Sequence, residues 1–231
     1  MYIAMKALFL KITLLIIALI PSIVVAQTQL IKNLRAGKKQ ILVVYGTSLT
    51  AGEGGRAWVD SVNIGLNKKY GNNLTVINAA KSAMWSGWGV QHLDDSVISK
   101  KPDAVLIEFG MNDAYLPYKT SVALARLNLN YMIDRIRLYN PGCEVILQVM
   151  NIAINKHAEA RPNLLAYYRA YREVAKQKGI LLIDHYPHWQ QILNQGEGVY
   201  LKYVPDGIHP SVQSTKAIIA PYVLQKLVEG R

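Results

Sequence analysis

Five short stretches of the chain are nearly unbroken apolar runs, and longer stretches between them repeat apolar residues at helical spacing. The runs are Ile41-Leu42-Val43-Val44-Tyr45, Leu74-Thr75-Val76-Ile77, Ala104-Val105-Leu106-Ile107-Glu108-Phe109, Val145-Ile146-Leu147-Gln148-Val149 and Ile180-Leu181-Leu182-Ile183. Continuous runs, as opposed to strict alternation, predict strands covered on both faces. Residues 56–70 carry Trp58, Val59, Val62 and Leu66 at helical intervals, residues 121–139 carry Val122, Leu129, Ile133 and Ile136, and residues 163–178 carry Leu164, Tyr168, Tyr171 and Val174. A last helix is expected from Ser211 to about Val228, kinked at Pro221. Strand and helix alternate over short links, which predicts an α/β fold with a five-stranded parallel sheet and helices on both faces. No internal repeat or linker interrupts residues 27–231, which read as one domain with 27–37 as a lead-in.

The first 26 residues follow a different pattern. Lys6 and Lys11 precede an apolar run from Ile12 to Ile20, Pro21 breaks it, and Val24-Val25-Ala26 offers small residues for cleavage before Gln27. That order predicts a secretory signal peptide cleaved after Ala26, and hence a secreted or periplasmic protein. The rival is an uncleaved membrane anchor over Ala7 to Val25, interrupted by Lys11 and Pro21.

Composition narrows the classes. With 51% hydrophobic and 18% charged residues in 231, the chain is ordinary globular protein. Its single cysteine, Cys143, excludes intrachain disulfides and is expected to be inert packing. The net charge of +11 becomes +9 once Lys6 and Lys11 are removed, leaving 24 basic residues against 15 acidic ones. The basic residues are scattered and form no nucleic-acid-binding motif, so nucleic acid is not an expected partner. The excess reads as a solvated surface, with an anionic polysaccharide or membrane surface as the alternative.

Polar residues gather where the predicted strands end. Gly46-Thr47-Ser48-Leu49-Thr50-Ala51-Gly52 follows the first strand, Asn78-Ala79-Ala80-Lys81-Ser82-Ala83 the second and Gly110-Met111-Asn112-Asp113 the third, while Asp206-Gly207-Ile208-His209-Pro210 precedes the last helix. In a parallel sheet such segments converge on one rim, where ligands bind. The set meets the demands of acyl transfer: a serine hydroxyl, a histidine to take its proton, a carboxylate to orient the ring, and donors for an oxyanion.

These segments resemble the blocks of the SGNH hydrolases, also called the GDSL esterase/lipase family. Gly46-Thr47-Ser48-Leu49 with Gly52 is similar to the first block, Gly110-Met111-Asn112-Asp113 matches the third, and Asp206 to Pro210 matches the last, in family order over roughly residues 40–228. The resemblance implies a flavodoxin-like three-layer α/β/α sandwich. It also implies Ser48 as nucleophile, His209 as general base and acid, and Asp206 as its orienter. The oxyanion donors it implies are the Ser48 backbone N–H, a second-block N–H and the Asn112 side chain. Two departures stand out. Thr47 replaces an acidic residue that supports the loop, and the second-block glycine is Ala83, with Gly87 as the alternative. The family reaction needs no cofactor.

Each of these residues also has an ordinary structural reading. Ser48 alone would read as a helix cap, Asn112-Asp113 as a turn with Asp113 steadying it, and Asp206-Gly207 with Pro210 as a turn opening a helix. Asp184, His185 and His188 suggest a metal site but lack a third ligand cluster, so no metal is expected. His92 and His157 read as surface residues, and Glu108 as a buried acid paired with a base. Trp85, Trp88 and Tyr203 are candidates to line a substrate pocket and stack on sugars, or to pack ordinarily, and Tyr200 invites the same two readings. The chain lacks the second glycine of the Gly-x-Ser-x-Gly elbow, a P-loop and a dinucleotide fingerprint. The expected activity is hydrolysis of carboxylic esters, small or polysaccharide-borne, most of all acetyl esters of carbohydrate. The alternatives are a lysophospholipase or thioesterase acting on longer chains, and a non-catalytic carbohydrate-binding or envelope module.

Overall fold

The computed structural model describes residues 27–230, and the predicted signal peptide, residues 1–26, lies outside the described residues. The five apolar runs form five parallel strands: β1 Gln40–Gly46, β2 Leu74–Asn78, β3 Ala104–Glu108, β4 Glu144–Val149 and β5 Leu181–Asp184. Their order across the sheet is β2-β1-β3-β4-β5. Connections from β1 run to one side and connections from β3 to the other, so the rim between β1 and β3 is the switch point of the sheet. In that pair Tyr45 lies opposite Ile107 and Gly46 opposite Glu108.

Helices cover the sheet in the flavodoxin-like arrangement. Helix α1 (Gln29–Arg35), helix α2 (Glu53–Tyr70) and the C-terminal helix α6 (Ala220–Glu229) pack together, and α3 (Val122–Tyr139) packs on α4 (Leu164–Lys178). Their apolar faces bury Trp58, Val62 and Leu66 from α2, Leu129, Ile133 and Ile136 from α3, and Tyr168, Tyr171 and Val174 from α4. Each such side chain contributes about 1.5–3 kcal/mol by leaving water. Termini follow local chemistry: Ser121 caps α3 by accepting from the Leu124 N–H at 3.1 Å, and Gly71 and Gly179 close α2 and α4 in the left-handed conformation.

Helix α1 and helix α5 (Tyr186–Leu193) were not evident from periodicity. Phe109, read as the end of the third strand, instead precedes the turn Gly110–Asp113. The expected helix from Ser211 to Val228 is three pieces: an α turn at Val212–Ser214, a π turn at Thr215–Ile219, and α6. The irregularity precedes Pro221 because proline has no N–H to donate, and the wider turn absorbs the lost bond. No helix among the described residues is long and apolar enough to cross a membrane.

Candidate active site

Strand β1 must end beside β3 with no side chain between them. A Cβ at Gly46 would strike the backbone and carboxylate of Glu108. Thr47 follows and caps the short turn Ser48–Ala51, its hydroxyl oxygen accepting from the Leu49 N–H at 3.2 Å. The Thr47 hydroxyl donates in turn to Glu108 Oε1 at 2.9 Å, and the Thr47 N–H and the Thr50 hydroxyl reach the same oxygen at 2.8 Å each. Glu108 is only 1% exposed. Burial pushes its carboxyl up to about 7 against these hydrogen bonds, and Asp113 pushes the same way. Its partners are therefore two threonines and an amide, in place of the basic residue expected from sequence. From outside, the Trp58 indole of α2 donates to the Leu49 carbonyl at 2.9 Å, fixing the turn that carries Ser48.

The loop after β2 is drawn toward this turn. The Lys81 N–H donates to the Gly46 carbonyl at 3.0 Å, and the Asn78 amide to the Thr50 carbonyl at 2.9 Å. Ala83 follows with φ of 61°, the left-handed region where an L-residue costs about 1–2 kcal/mol. Tyr118 holds it there: its hydroxyl donates to the Ala83 carbonyl at 2.5 Å while its ring stacks on Trp85 at 4.8 Å. The Ser48 and Ala83 N–H groups have no hydrogen-bond partner among the described residues. Gly87 lies within the helix Ser86–Gln91 against the Trp85 indole.

Asn112 sits in the buried turn Gly110–Asp113 after β3. One Nδ2 hydrogen goes to the Met84 carbonyl at 2.8 Å, next to Ala83, leaving the other available. Asp113 ties that turn to the following loop by accepting from the Ser86 N–H at 2.8 Å, the loop-steadying part expected of it. Burial lifts its carboxyl to about 7 despite the Ser86 bonds. Arg161 is a support that sequence reasoning missed. Buried over the Tyr115 ring, it donates to the Met111 carbonyl at 2.9 Å and to the His157 carbonyl at 3.3 Å.

Asp206 and His209 complete the rim. Asp206 Oδ1 accepts from the Ile208 and His209 N–H groups at 2.9 and 2.7 Å, and Oδ2 lies 2.6 Å from His209 Nδ1. Burial alone would raise the Asp206 carboxyl, but these bonds with His209 and Ile208 outweigh it and hold it below the usual range. With Nδ1–H committed to Asp206, Nε2 is left as an acceptor, 2.9 Å from Ser48 Oγ. Asn151, after β4, fixes this loop by donating to the Ile208 carbonyl at 2.9 Å, and the buried Tyr200 hydroxyl donates to the Ile152 carbonyl at 2.5 Å. Both act through polar bonds to backbone, a signal that no local spacing carries. His157, expected on the surface, is half-buried beside Gly207, where burial chiefly lowers its pKa against the pull of Asp206.

The cavity that reaches Ser48 has a volume of about 450 Å³ and is lined by Leu49, Asp206, His209, Pro210 and the Gly52–Gly55 stretch. Trp85, Trp88 and Tyr203 do not line it. Trp88 packs against Tyr45 and His92, and Tyr203 is 38% exposed. His185 and His188 part company: His185 is buried against Tyr222 and held neutral by burial at about 3, while His188 is exposed. No cluster of three metal-ligating side chains occurs among the described residues.

The arrangement aligns a hydroxyl, an imidazole and a carboxylate beside two unpaired backbone N–H groups and an amide. The family model described as GDSL-like lipase/acylhydrolase matches residues 44–217. An arylesterase of Vibrio mimicus is 27% identical over 191 residues, 81% of this chain and 88% of that protein. Esterase TesA of Pseudomonas aeruginosa is 27% identical over 184 residues, 78% of this chain and 84% of that one. The crystal structure of a lipase/acylhydrolase from Enterococcus faecalis superposes with a TM-score of 0.68 at 27% identity, covering 83% of this chain and 96% of that chain.

Proposed function

The chain belongs to the GDSL-like lipase/acylhydrolase family and hydrolyses esters, and from that premise we propose a specific assignment of its chemistry. Ser48 Oγ attacks the ester carbonyl while His209 Nε2 takes its proton, and Asp206 holds the ring and stabilises the imidazolium. The oxyanion is received by the Ser48 and Ala83 N–H groups and the Asn112 amide. His209 returns its proton to the departing alkoxide as the carbonyl carbon–oxygen bond breaks, giving an acyl-Ser48 and a free alcohol. Water then attacks the acyl carbon with His209 as base, releasing the acid and restoring Ser48. The observation that carries this reading is the chain of contacts from Ser48 Oγ through the His209 ring to Asp206, 2.9 and 2.6 Å long.

The substrate class we favour is short acyl esters, acetyl above all, on carbohydrate, met outside the cytoplasm after export through residues 1–26. Among the residues lining the cavity only Leu49 and Val212 are branched aliphatics. A sugar alcohol meets the polar lining of Glu53, Asp206, His209 and Ser211, whereas an apolar alcohol there would forgo about 0.8 kcal/mol for each methylene left unburied. The test is a series of aryl esters from two to sixteen carbons with acetylated sugars alongside. The expected result is kcat/KM highest for acetyl and, in Ser48→Ala, a kcat at least about 10³-fold lower with the fold intact. A clear preference for long chains would transfer the protein to lysophospholipase or thioesterase chemistry. Full activity in Ser48→Ala would overturn Ser48 as the nucleophile, and no ester cleavage by the wild type would leave a non-catalytic module.

A further inference from the structure

The cavity at Ser48 does not end there. It shares Glu53 and Val212 with a second hollow of about 420 Å³ that runs along the outer face of α2, past Arg56, Asp60 and Ile64 to Lys216 on the π turn. The two hollows adjoin at Glu53 and Val212, and together they lead away from the serine.

The stereochemistry of acyl transfer decides which part of a substrate enters it. The tetrahedral carbon carries Ser48 Oγ, the oxyanion, the acyl group and the leaving oxygen. The oxyanion faces Ala83 and Asn112, neither of which lines the cavity, whereas His209, which must protonate the leaving oxygen, does. The alcohol half of the ester therefore lies in the cavity, and whatever extends from that alcohol follows the groove along α2.

The groove's chemistry indicates what that extension is. Glu53, Asp60 and Lys216 are exposed and form no ion pair among the described residues. Arg56 is steadied by donating to the Ala51 carbonyl at 2.7 Å. Two carboxylates and two cations give no net charge, and the exposed Ile64 and the half-buried Val212 add apolar surface to the same hollow. Such a wall matches an alcohol that presents hydroxyls at its edges and C–H groups on its face. A phosphodiester headgroup would meet Glu53 and Asp60 as well as Arg56 and Lys216, so the wall offers an anion no net attraction.

We propose that this groove is a leaving-group subsite for an uncharged polyhydroxylated alcohol, a saccharide extending beyond the sugar that bears the ester, with Asp60 and Lys216 as specificity-determining residues. The inference rests on the esterase assignment of Ser48 and His209 for its orientation.

The test compares the wild type with Asp60→Ala/Lys216→Ala on partially O-acetylated xylotriose, 4-nitrophenyl acetate and lysophosphatidylcholine. A second arm measures binding of unacetylated xylotriose to Ser48→Ala with and without the same two substitutions. The ratio of kcat/KM on the acetylated trisaccharide to that on the aryl acetate should fall about tenfold through KM, the scale of one or two lost hydrogen bonds, and xylotriose binding should weaken equally. A ratio constant within about twofold, with unchanged xylotriose binding, overturns the subsite while leaving the esterase standing. A larger loss on lysophosphatidylcholine than on the trisaccharide overturns the uncharged occupant. If the wild type cleaves no ester, the assignment of Ser48 has failed, and the binding arm still reads the groove.

Discussion

Two carboxylates stand behind Ser48, one under its turn and one behind the His209 ring, and they are opposites. Glu108 is buried beneath it, 1% exposed, with three donors on one oxygen and no cation, and its carboxyl is lifted to about 7. Asp206 stands at the rim, its side chain 49% exposed, with an imidazole on one oxygen and two backbone N–H groups on the other, and its carboxyl is lowered. The inner acid is an anchor that needs no charge to accept hydrogen bonds. In the proposed mechanism the outer acid must be charged, because it holds an imidazolium. Environment, not residue type, separates the two roles.

The contrast can be broken by exchanging charge for shape at each site. Asp206→Asn keeps a side chain of the same size but removes the charge and permits the wrong imidazole tautomer. It should lower kcat on an aryl acetate on the order of 10³-fold with little change in Tm. A loss below about tenfold would show that the charge at position 206 matters little.

Glu108→Gln is the converse, affecting stability and its pH dependence more than rate. A carboxyl raised from 4.5 unfolded to about 7 folded favours the native state most at acid pH. That contribution is complete below about 4.5 and is lost as pH climbs through 7, by about 3 kcal/mol. Glutamine does not titrate, so the Tm of the variant relative to the wild type should rise by several degrees from pH 5 to pH 8. A constant difference across that range would mean that Glu108 is ionised throughout.

The smallest effect is expected on the loop facing Ser48. Ala83→Gly keeps the N–H and removes the steric cost of φ 61°. Against the extra freedom of glycine when unfolded, the net gain is up to about 1 kcal/mol, or roughly 2–4 °C in Tm, with kcat retained. A destabilised variant would show that the Ala83 methyl makes contacts worth more than the strain.

Ser48, Asn112, Asp206 and His209 were legible because each sits in a short motif at a strand end, where parallel-sheet geometry collects side chains. The five strands were legible because burial on both faces leaves an unmistakable run of apolar residues. Glu108 was visible as a buried acid but its partners were not: Thr47 and Thr50 lie about sixty residues earlier, and a threonine hydroxyl leaves no pattern in sequence. The acidic residue absent at position 47 is thus offset by one on the neighbouring strand. Asn151 and Arg161 leave no sequence pattern for the same reason, since each acts on a backbone carbonyl distant in sequence. Pro221 marked an irregularity in the last helix, but composition does not say that it takes the form of a π turn before the proline.

A Cβ at Gly54 would collide with the Pro210 carbonyl, so the first turn of α2 lies directly on the loop that carries His209. Trp58, one turn further on, grips the segment bearing Ser48. One helix end thus clasps the two segments that carry Ser48 and His209, and neither can retreat alone. Under rising denaturant, catalytic competence and the docking of this helix should disappear as a single event, with no inactive yet folded species preceding it.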